Sequence, residues 1–240
     1  MLRLEKFSRH YGPRTVLQNI DLHLKSGEVI CIMGPNGAGK TSLIEAVLSH
    51  NRPQGARLFF KGSEVQTIDD HNQFLARCAY LGHEPGLLYD LTAIENLRFF
   101  ADFHCARPPS RNHLESILAF VDLSFRKNDK ARTFSRGMRQ RLGLARSMLH
   151  DADLSLFDEP LTGLDSQGVS MLVQLLRRIK DCKKSALIVT HDDQPFTGVA
   201  DRYLFINNGQ IIADIASDRY TDQAKQHIAL LISKDAVVGR

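Results

Sequence analysis

Three stretches of the chain carry residues whose types and spacing suit phosphate chemistry. Gly34-Pro35-Asn36-Gly37-Ala38-Gly39-Lys40-Thr41 has the form G-x-x-x-x-G-K-[ST]. Glycines without Cβ atoms let a backbone turn tightly, so that its N–H groups and a following helix N-terminus point at phosphates. Lys40 then offers an ammonium to the β- and γ-phosphates, and Thr41 a hydroxyl to Mg²⁺. The plainer reading is an ordinary glycine turn between a strand and a helix. Leu154-Ser155-Leu156-Phe157-Asp158-Glu159 ends an apolar run on paired acids. Asp158 fits as a Mg²⁺ partner through water, while Glu159, pointing the other way, can polarise a water that attacks the γ-phosphorus, a general-base role worth ~10²–10⁴ in rate. Isolated Asp-Glu pairs commonly just begin a loop, here before Pro160, and that reading weakens with a phosphate loop upstream. His191 follows Leu187-Ile188-Val189-Thr190. A lone histidine is more often a surface or satisfied core residue, but at a third strand end it suits a γ-phosphate contact that orients the attacking water.

These groups need a scaffold, and the hydrophobic pattern supplies one. Val29-Ile30-Cys31-Ile32-Met33 is continuously apolar, as in a parallel strand covered on both faces, and runs into the glycine turn. A helix follows from Thr41 to about Ser49. Leu154–Phe157 and Ala186–Val189 read as further buried strands, with a helix between them whose face is Val169, Leu172, Val173, Leu176 and Ile179. Such alternation puts both carboxylates at the C-terminal edge of a parallel sheet, where α/β proteins bind ligands. Residues 1–30 read as short strands, Leu58-Phe59-Phe60 as another, and Tyr203–Ile206 with Gln210–Ile212 as a hairpin around Asn207-Asn208-Gly209. Thr92-x-x-Glu95 is a capping box, and residues from about 83 to 149 read as mostly helical.

Composition narrows the classes. With 240 residues, 43% hydrophobic and 24% charged, the chain can bury a core and reads as one domain, or one domain with a subdomain, that folds in water. The start, Met1-Leu2-Arg3-Leu4-Glu5-Lys6, has no apolar leader, and no run approaches the roughly 20 apolar residues needed to cross a bilayer. Any membrane component is therefore expected from another chain. The net charge of +4 is scattered, not gathered into a stripe, so a solvated surface is expected and a nucleic-acid partner is not. Cys31, Cys78, Cys105 and Cys182 show no C-x-x-C spacing, which fits a reducing compartment.

Phe134-Ser135-Arg136-Gly137-Met138-Arg139-Gln140-Arg141, just before the strand ending in Asp158, resembles the signature segment of the ATP-binding-cassette (ABC) nucleotide-binding domain, usually read L-S-G-G-Q. Ser135 and Gly137 keep the pattern; Phe134, Arg136 and Met138 depart from its commonest form. The resemblance covers nearly the whole chain and implies an α/β fold: a phosphate-loop (RecA-like) ATPase core with an antiparallel β subdomain and an inserted α-helical subdomain. Residues 1–82 and 150–240 would form the core and β subdomain, and 83–149 the helical subdomain carrying the signature. It also implies ATP and Mg²⁺ as cofactors, ATP hydrolysis, and nucleotide contacts from Gly34 through Thr41. Ser135 and Gly137 would cap the γ-phosphate held by an opposite subunit, in a homodimer or with a second nucleotide-binding subunit. Leu161-Thr162-Gly163-Leu164-Asp165 resembles the D-loop that crosses that interface, and His191 the switch histidine. Tyr11, just before the strands, resembles the aromatic that stacks on adenine, although an aromatic before Gly12-Pro13 also suits a plain turn. The implied setting is cytoplasmic, peripheral on the inner face of a membrane and bound to a transmembrane transporter subunit.

One position departs further. In Tyr80-Leu81-Gly82-His83-Glu84-Pro85, His83 stands where the family normally has a glutamine that touches Mg²⁺. A neutral imidazole can still hydrogen-bond there, and a protonated one repels Mg²⁺; the alternative is that His83 merely faces solvent. Gly82–Gly86 and Asp90–Leu97 resemble the ATP-binding subunit of the haem-exporter type used in cytochrome c maturation. Two competing readings are a soluble ABC protein acting on nucleic acid or ribosomes, and a regulatory nucleotide binder. The chain has no room for the tandem cassettes or long coiled coils usual in the first, and Glu159 with His191 argues against the second. Lys225 to Arg240 carries no assignable motif.

Overall fold

The computed structural model describes residues 1–238 other than Ala106 and Pro108. Strands β1 (Leu2–Tyr11) and β2 (Arg14–Leu24) form an antiparallel hairpin. Strand β3 (Val29–Met33), buried at all five residues, delivers the chain to helix α1 (Lys40–Leu48). There follow β4 (Arg57–Phe60), β5 (Ser63–Glu64), α2 (Ile68–Leu75) and β6 (Cys78–Leu81). Helices α3 (Ala93–His104), α4 (Arg111–Phe120) and α5 (Arg136–Ser147) come next. The chain returns through β7 (Leu154–Asp158), α6 (Ser166–Asp181), β8 (Ser185–Val189), β9 (Arg202–Asn207), β10 (Gln210–Ala216) and α7 (Asp222–Val238).

Two sheets result. One has the order β10-β9-β3-β8-β7-β6, parallel except for the antiparallel β9–β10 hairpin; the other, β2-β1-β4-β5, is antiparallel. Alternation along β3 sorts its side chains between two cores. Ile30 and Ile32 join Leu43, Ile44 and Val47 of α1 and Leu2, Leu4 and Phe7 of β1. Val29 and Cys31 join Leu172 and Leu176 of α6 in a cluster that continues into Leu97, Leu114 and Leu142 of the inserted helices. Burial on both faces explains why the central strands read as unbroken apolar runs.

Local signals set the helix boundaries. Thr92 and Glu95 form the reciprocal capping box of α3. Asn96, fully buried, accepts the Leu88 N–H at 2.8 Å, and its amide faces the carbonyls of Leu88, Leu91 and Thr92 at 2.9, 3.2 and 2.9 Å. It thereby ties the irregular segment before α3 to the helix.

The structure differs from the sequence reading in four places. The first strands are long, not short: register shifts in β1 and left-handed residues Lys6 (φ 51°) and Asn19 (φ 48°) interrupt the period-2 pattern without ending the pairing. Tyr11 accordingly ends β1 instead of preceding the strands. Helicity begins at Ala93, not near residue 83, because Pro85 and left-handed Gly86 (φ 58°) lie between. Finally, α2, β6 and α7 lie outside the sequence reading: α2 and β6 are too short to show a clear period, and the described side chains of α7 bury little, with Ile228 buried among them.

Candidate functional site

The phosphate-type loop joins β3 to α1 on left-handed backbone. Gly34, Gly37 and Gly39 have φ of 151°, 79° and 107°. A Cβ on Gly34 would lie 2.1 Å from the Ile206 carbonyl oxygen, and one on Gly39 would lie 2.8 Å from that of Val16. The loop is pinned to the β9–β10 turn by the Gly209 N–H donating to the Ala38 carbonyl at 3.0 Å. Lys40 is buried, with its ammonium donating to the carbonyls of Gly34 (2.9 Å) and Pro35 (3.1 Å). The first turn of α1 holds no acid of its own, so its positive end faces the loop. Against it lies a cavity of about 400 Å³ lined by Tyr11, Arg14 and Val16, by Asn36, Gly37, Gly39, Lys40, Thr41 and Ser42, and by Glu159.

The carboxylates arrive on β7, separated from β3 by β8. Thr41 Oγ1 donates to Asp158 Oδ1 at 3.1 Å. Burial pushes the Asp158 carboxyl above the usual range; the Thr41 bond opposes this, the neighbouring Glu159 charge adds to it, and His83 pulls it down. Glu159 adopts φ 50°, and its N–H donates to the Val189 carbonyl at 2.9 Å. Glu159 Oε2 lies 2.8 Å from His191 Nδ1, on the exit of β8. His83 is exposed, and its nearness pulls the Asp158 carboxyl down only after burial, the Thr41 bond and Glu159 have acted.

The donor set fits Mg²⁺. A buried carboxylate whose ionisation is resisted lies beside a hydroxyl, both oxygen donors of the kind a hard cation takes. Among the described residues no three His, Cys, Asp or Glu side chains converge as a metal cage. A cation here therefore needs further oxygens from phosphate and water, the usual manner of Mg²⁺ at a nucleotide.

The signature residues lie elsewhere. Ser135 N-caps α5, its Oγ accepting the Met138 N–H at 3.2 Å. Gly137 abuts the loop before α6, where a Cβ would lie 3.1 Å from the Gly163 carbonyl oxygen. Asp165 N-caps α6 through the Gly168 N–H at 2.8 Å. Ser135, Gly137 and Asp165 do not line the phosphate cavity; of the other predicted residues, Gly34, Pro35, Ala38, His83, Asp158 and His191 are not in its lining either, Asp158 and His191 being joined to it through Thr41 and Glu159. Arg14, Val16 and Ser42 do line it and were missed from sequence. Ser42 follows the loop motif directly, but Arg14 and Val16 reach the site only through the pairing of β1 with β2.

A strand, a glycine-rich loop and a helix, with paired acids two strands away across a parallel sheet, define a phosphate-loop ATPase core. Residues 17–162 match the ABC transporter family, and the chain belongs to that family. It is 35% identical over 187 residues to the cytochrome c biogenesis ATP-binding export protein CcmA 2 of Cupriavidus metallidurans, covering 78% of this chain and 87% of that protein. It is 29% identical over 228 residues to the uncharacterized ABC transporter ATP-binding protein YdbJ of Bacillus subtilis (93% and 73%). The macrolide export ATP-binding/permease protein MacB of Vibrio parahaemolyticus is 32% identical over 224 residues, which take in 89% of this chain but 34% of that longer protein. In fold, the dimeric ATP-binding cassette MJ0796 in a post-hydrolysis state with ADP and Pi superposes with a TM-score of 0.81 at 23% identity, over 90% of this chain and 99% of the other. The chain is thus an ATP-binding cassette of the transporter type with the ATPase activity of its family. No helix among the described residues is long and apolar enough to cross a membrane.

Proposed function

We propose that this chain couples ATP-driven closure of two nucleotide-binding subunits to substrate movement by a separate transmembrane subunit, on the inner face of the membrane. The observation that carries the reading is the pair of contacts made by two residues of the cavity wall, Thr41 to Asp158 and Glu159 to His191, which supports a separation of cation binding from water activation. The loop N–H groups and Lys40 hold the phosphates, with Lys40 exchanging its carbonyl partners for phosphate oxygens. Thr41 and, through water, Asp158 would hold Mg²⁺, which would supply charge neutralisation to the bound phosphates. Glu159 takes the proton of the attacking water, and His191 orients that water and the Glu159 carboxylate. Tyr11 stacks on the base.

Ser135 and Gly137 stand outside the cavity formed by their own chain, which supports their use on a nucleotide held by a second subunit, either a copy or a paired cassette. Asp165 and the Leu161–Asp165 loop then cross between subunits. Residues 1–82 and 150–240 act as the ATP-binding core and 83–149 as the helical subdomain; His83, in the connection between them, senses Asp158 and reports to the membrane partner. The likeness to CcmA 2 supports a haem-exporter type used in cytochrome c biogenesis. The polytopic protein that co-purifies from gently solubilised membranes tests that narrower reading.

Glu159→Gln tests the mechanism. ATP binding is expected to persist, hydrolysis to slow by ~10²–10⁴, and the ATP-bound dimer to accumulate. Wild-type turnover in this variant removes Glu159 from the base role.

A further inference from the structure

We propose that Arg9 and Glu45 are positioning residues for the nucleotide base: they lock the Tyr11 ring to the helix whose N-terminus receives the phosphates. This rests on the reading of Tyr11 as the stacking platform. Tyr11 ends β1 at an exposed hairpin tip and is 48% exposed, a place where a ring left to itself samples several orientations. Here it is tethered. Its hydroxyl donates to Glu45 Oε2 at 2.9 Å. The Arg9 guanidinium lies 4.9 Å from the ring centroid, 3.3 Å from the same Glu45 oxygen and 3.3 Å from the Ser42 carbonyl, to which it donates.

All three anchors belong to one rigid element or to the strand that carries the ring. Glu45 follows Thr41 by four residues on α1, one helical turn, so the two project from neighbouring positions on one face. Arg9 precedes Tyr11 by two residues on β1, across the register shift between Arg9 and His10 that re-aims the strand end. Tyr11 and Ser42 line the phosphate cavity, whereas Arg9 and Glu45 do not. The tether therefore lies behind the ring: Arg9 covers one face, and the cavity side is left for a base. Base platform and phosphate loop become parts of one unit at a fixed separation, and the base meets a ring already ordered.

An exposed ion pair with no such role contributes little and leaves ligand affinity alone. The experiment separates the two on the full-length chain, by calorimetric titration of ATP and of inorganic tripolyphosphate, which has no base. Glu45→Ala and Tyr11→Phe should each weaken ATP binding by about 2- to 10-fold, the worth of one hydrogen bond. The double variant should be no weaker than either single, since both remove the same contact. Arg9→Ala should act in the same direction, KM for ATP should rise more than kcat changes, and tripolyphosphate affinity should stay at the wild-type value throughout. Tyr11→Ala should weaken ATP most. If Tyr11→Ala weakens ATP while Glu45→Ala and Arg9→Ala do not, the positioning role is overturned and the platform stands. If Tyr11→Ala binds ATP as the wild type does, the platform reading itself falls. Loss of tripolyphosphate affinity in Glu45→Ala, equal to the loss for ATP, also overturns the proposal, because the effect then runs through the phosphate loop.

Discussion

Asp158 concentrates the conflict between stability and function that a cation site requires. Its carboxyl is raised by burial, so the folded chain holds the proton more tightly than the unfolded chain does. Ionising it costs stability; that cost is present in full above the folded pKa and vanishes below the unfolded one. Asp158→Asn, which can still accept from Thr41, should therefore be more stable than the wild type at pH 7 without nucleotide. The difference should narrow as the pH falls through the carboxylate range. Urea unfolding at both pH values measures this, and a neutral-pH variant no more stable than the wild type contradicts it. Adding Mg²⁺ and nucleotide should reverse the order. Gly34 shows the complementary constraint of space: its absent Cβ would meet backbone at Ile206, which cannot swing aside as a side chain could. Gly34→Ala should cost about 1–3 kcal/mol in urea unfolding and weaken ATP binding as well. A wild-type midpoint would mean that the loop and β9 separate easily.

At the level of elements, the inserted helices depend on their entry. Thr92, Glu95 and Asn96 close the start of α3, and the Asn96 side chain satisfies backbone groups of the irregular run that leads into it. Thr92→Ala should cost about 1 kcal/mol as a lost cap. Asn96→Ala should cost about 1–3 kcal/mol, since the Leu88 N–H and nearby carbonyls lose a buried partner. Amide hydrogen exchange reads the difference: protection should fall in α3 and the preceding loop before it falls in β3, β7 and β8. Equal loss in all of them would show that the inserted helices and the sheet open as one unit, a result the shared apolar cluster would then explain.

At the level of the molecule, Ser135 and Gly137 lie outside the cavity formed by their own chain, and the proposed use of the two surfaces differs accordingly. Ser135→Arg places a bulky cation at the α5 cap, outside the phosphate cavity of its own chain. Monomeric ATP binding should persist, while ATP-dependent pairing of a Glu159→Gln background should be lost, as followed by light scattering. Loss of ATP binding by the isolated monomer would instead put Ser135 in the site of its own chain.

Much of this site was legible before any coordinates. The loop from Gly34 to Thr41, the acids Asp158 and Glu159, and His191 could be placed because each stands at the end of an unbroken apolar run, and a strand buried on both faces leaves that mark in composition alone. The segment carrying Ser135 and Gly137 could be singled out by its resemblance, since a Ser-x-Gly spacing is local. Less legible were the long strands β1 and β2, where register shifts scramble the alternation, and the contributions of Arg14 and Val16 to the cavity. Residue order by itself determined the chemistry on offer: which groups can hold phosphate, cation and water, and that each follows a strand. Only tertiary structure decided which of them meet. Pairing of β3, β8 and β7 brings Thr41 to Asp158 and Glu159 to His191 across more than a hundred and about thirty residues of chain respectively, and it leaves Ser135 outside the cavity that Thr41 and Glu159 line. Local sequence cannot express such proximity, because it arises from burying two faces of one sheet at once, and that burial depends on the whole set of apolar residues instead of any single segment.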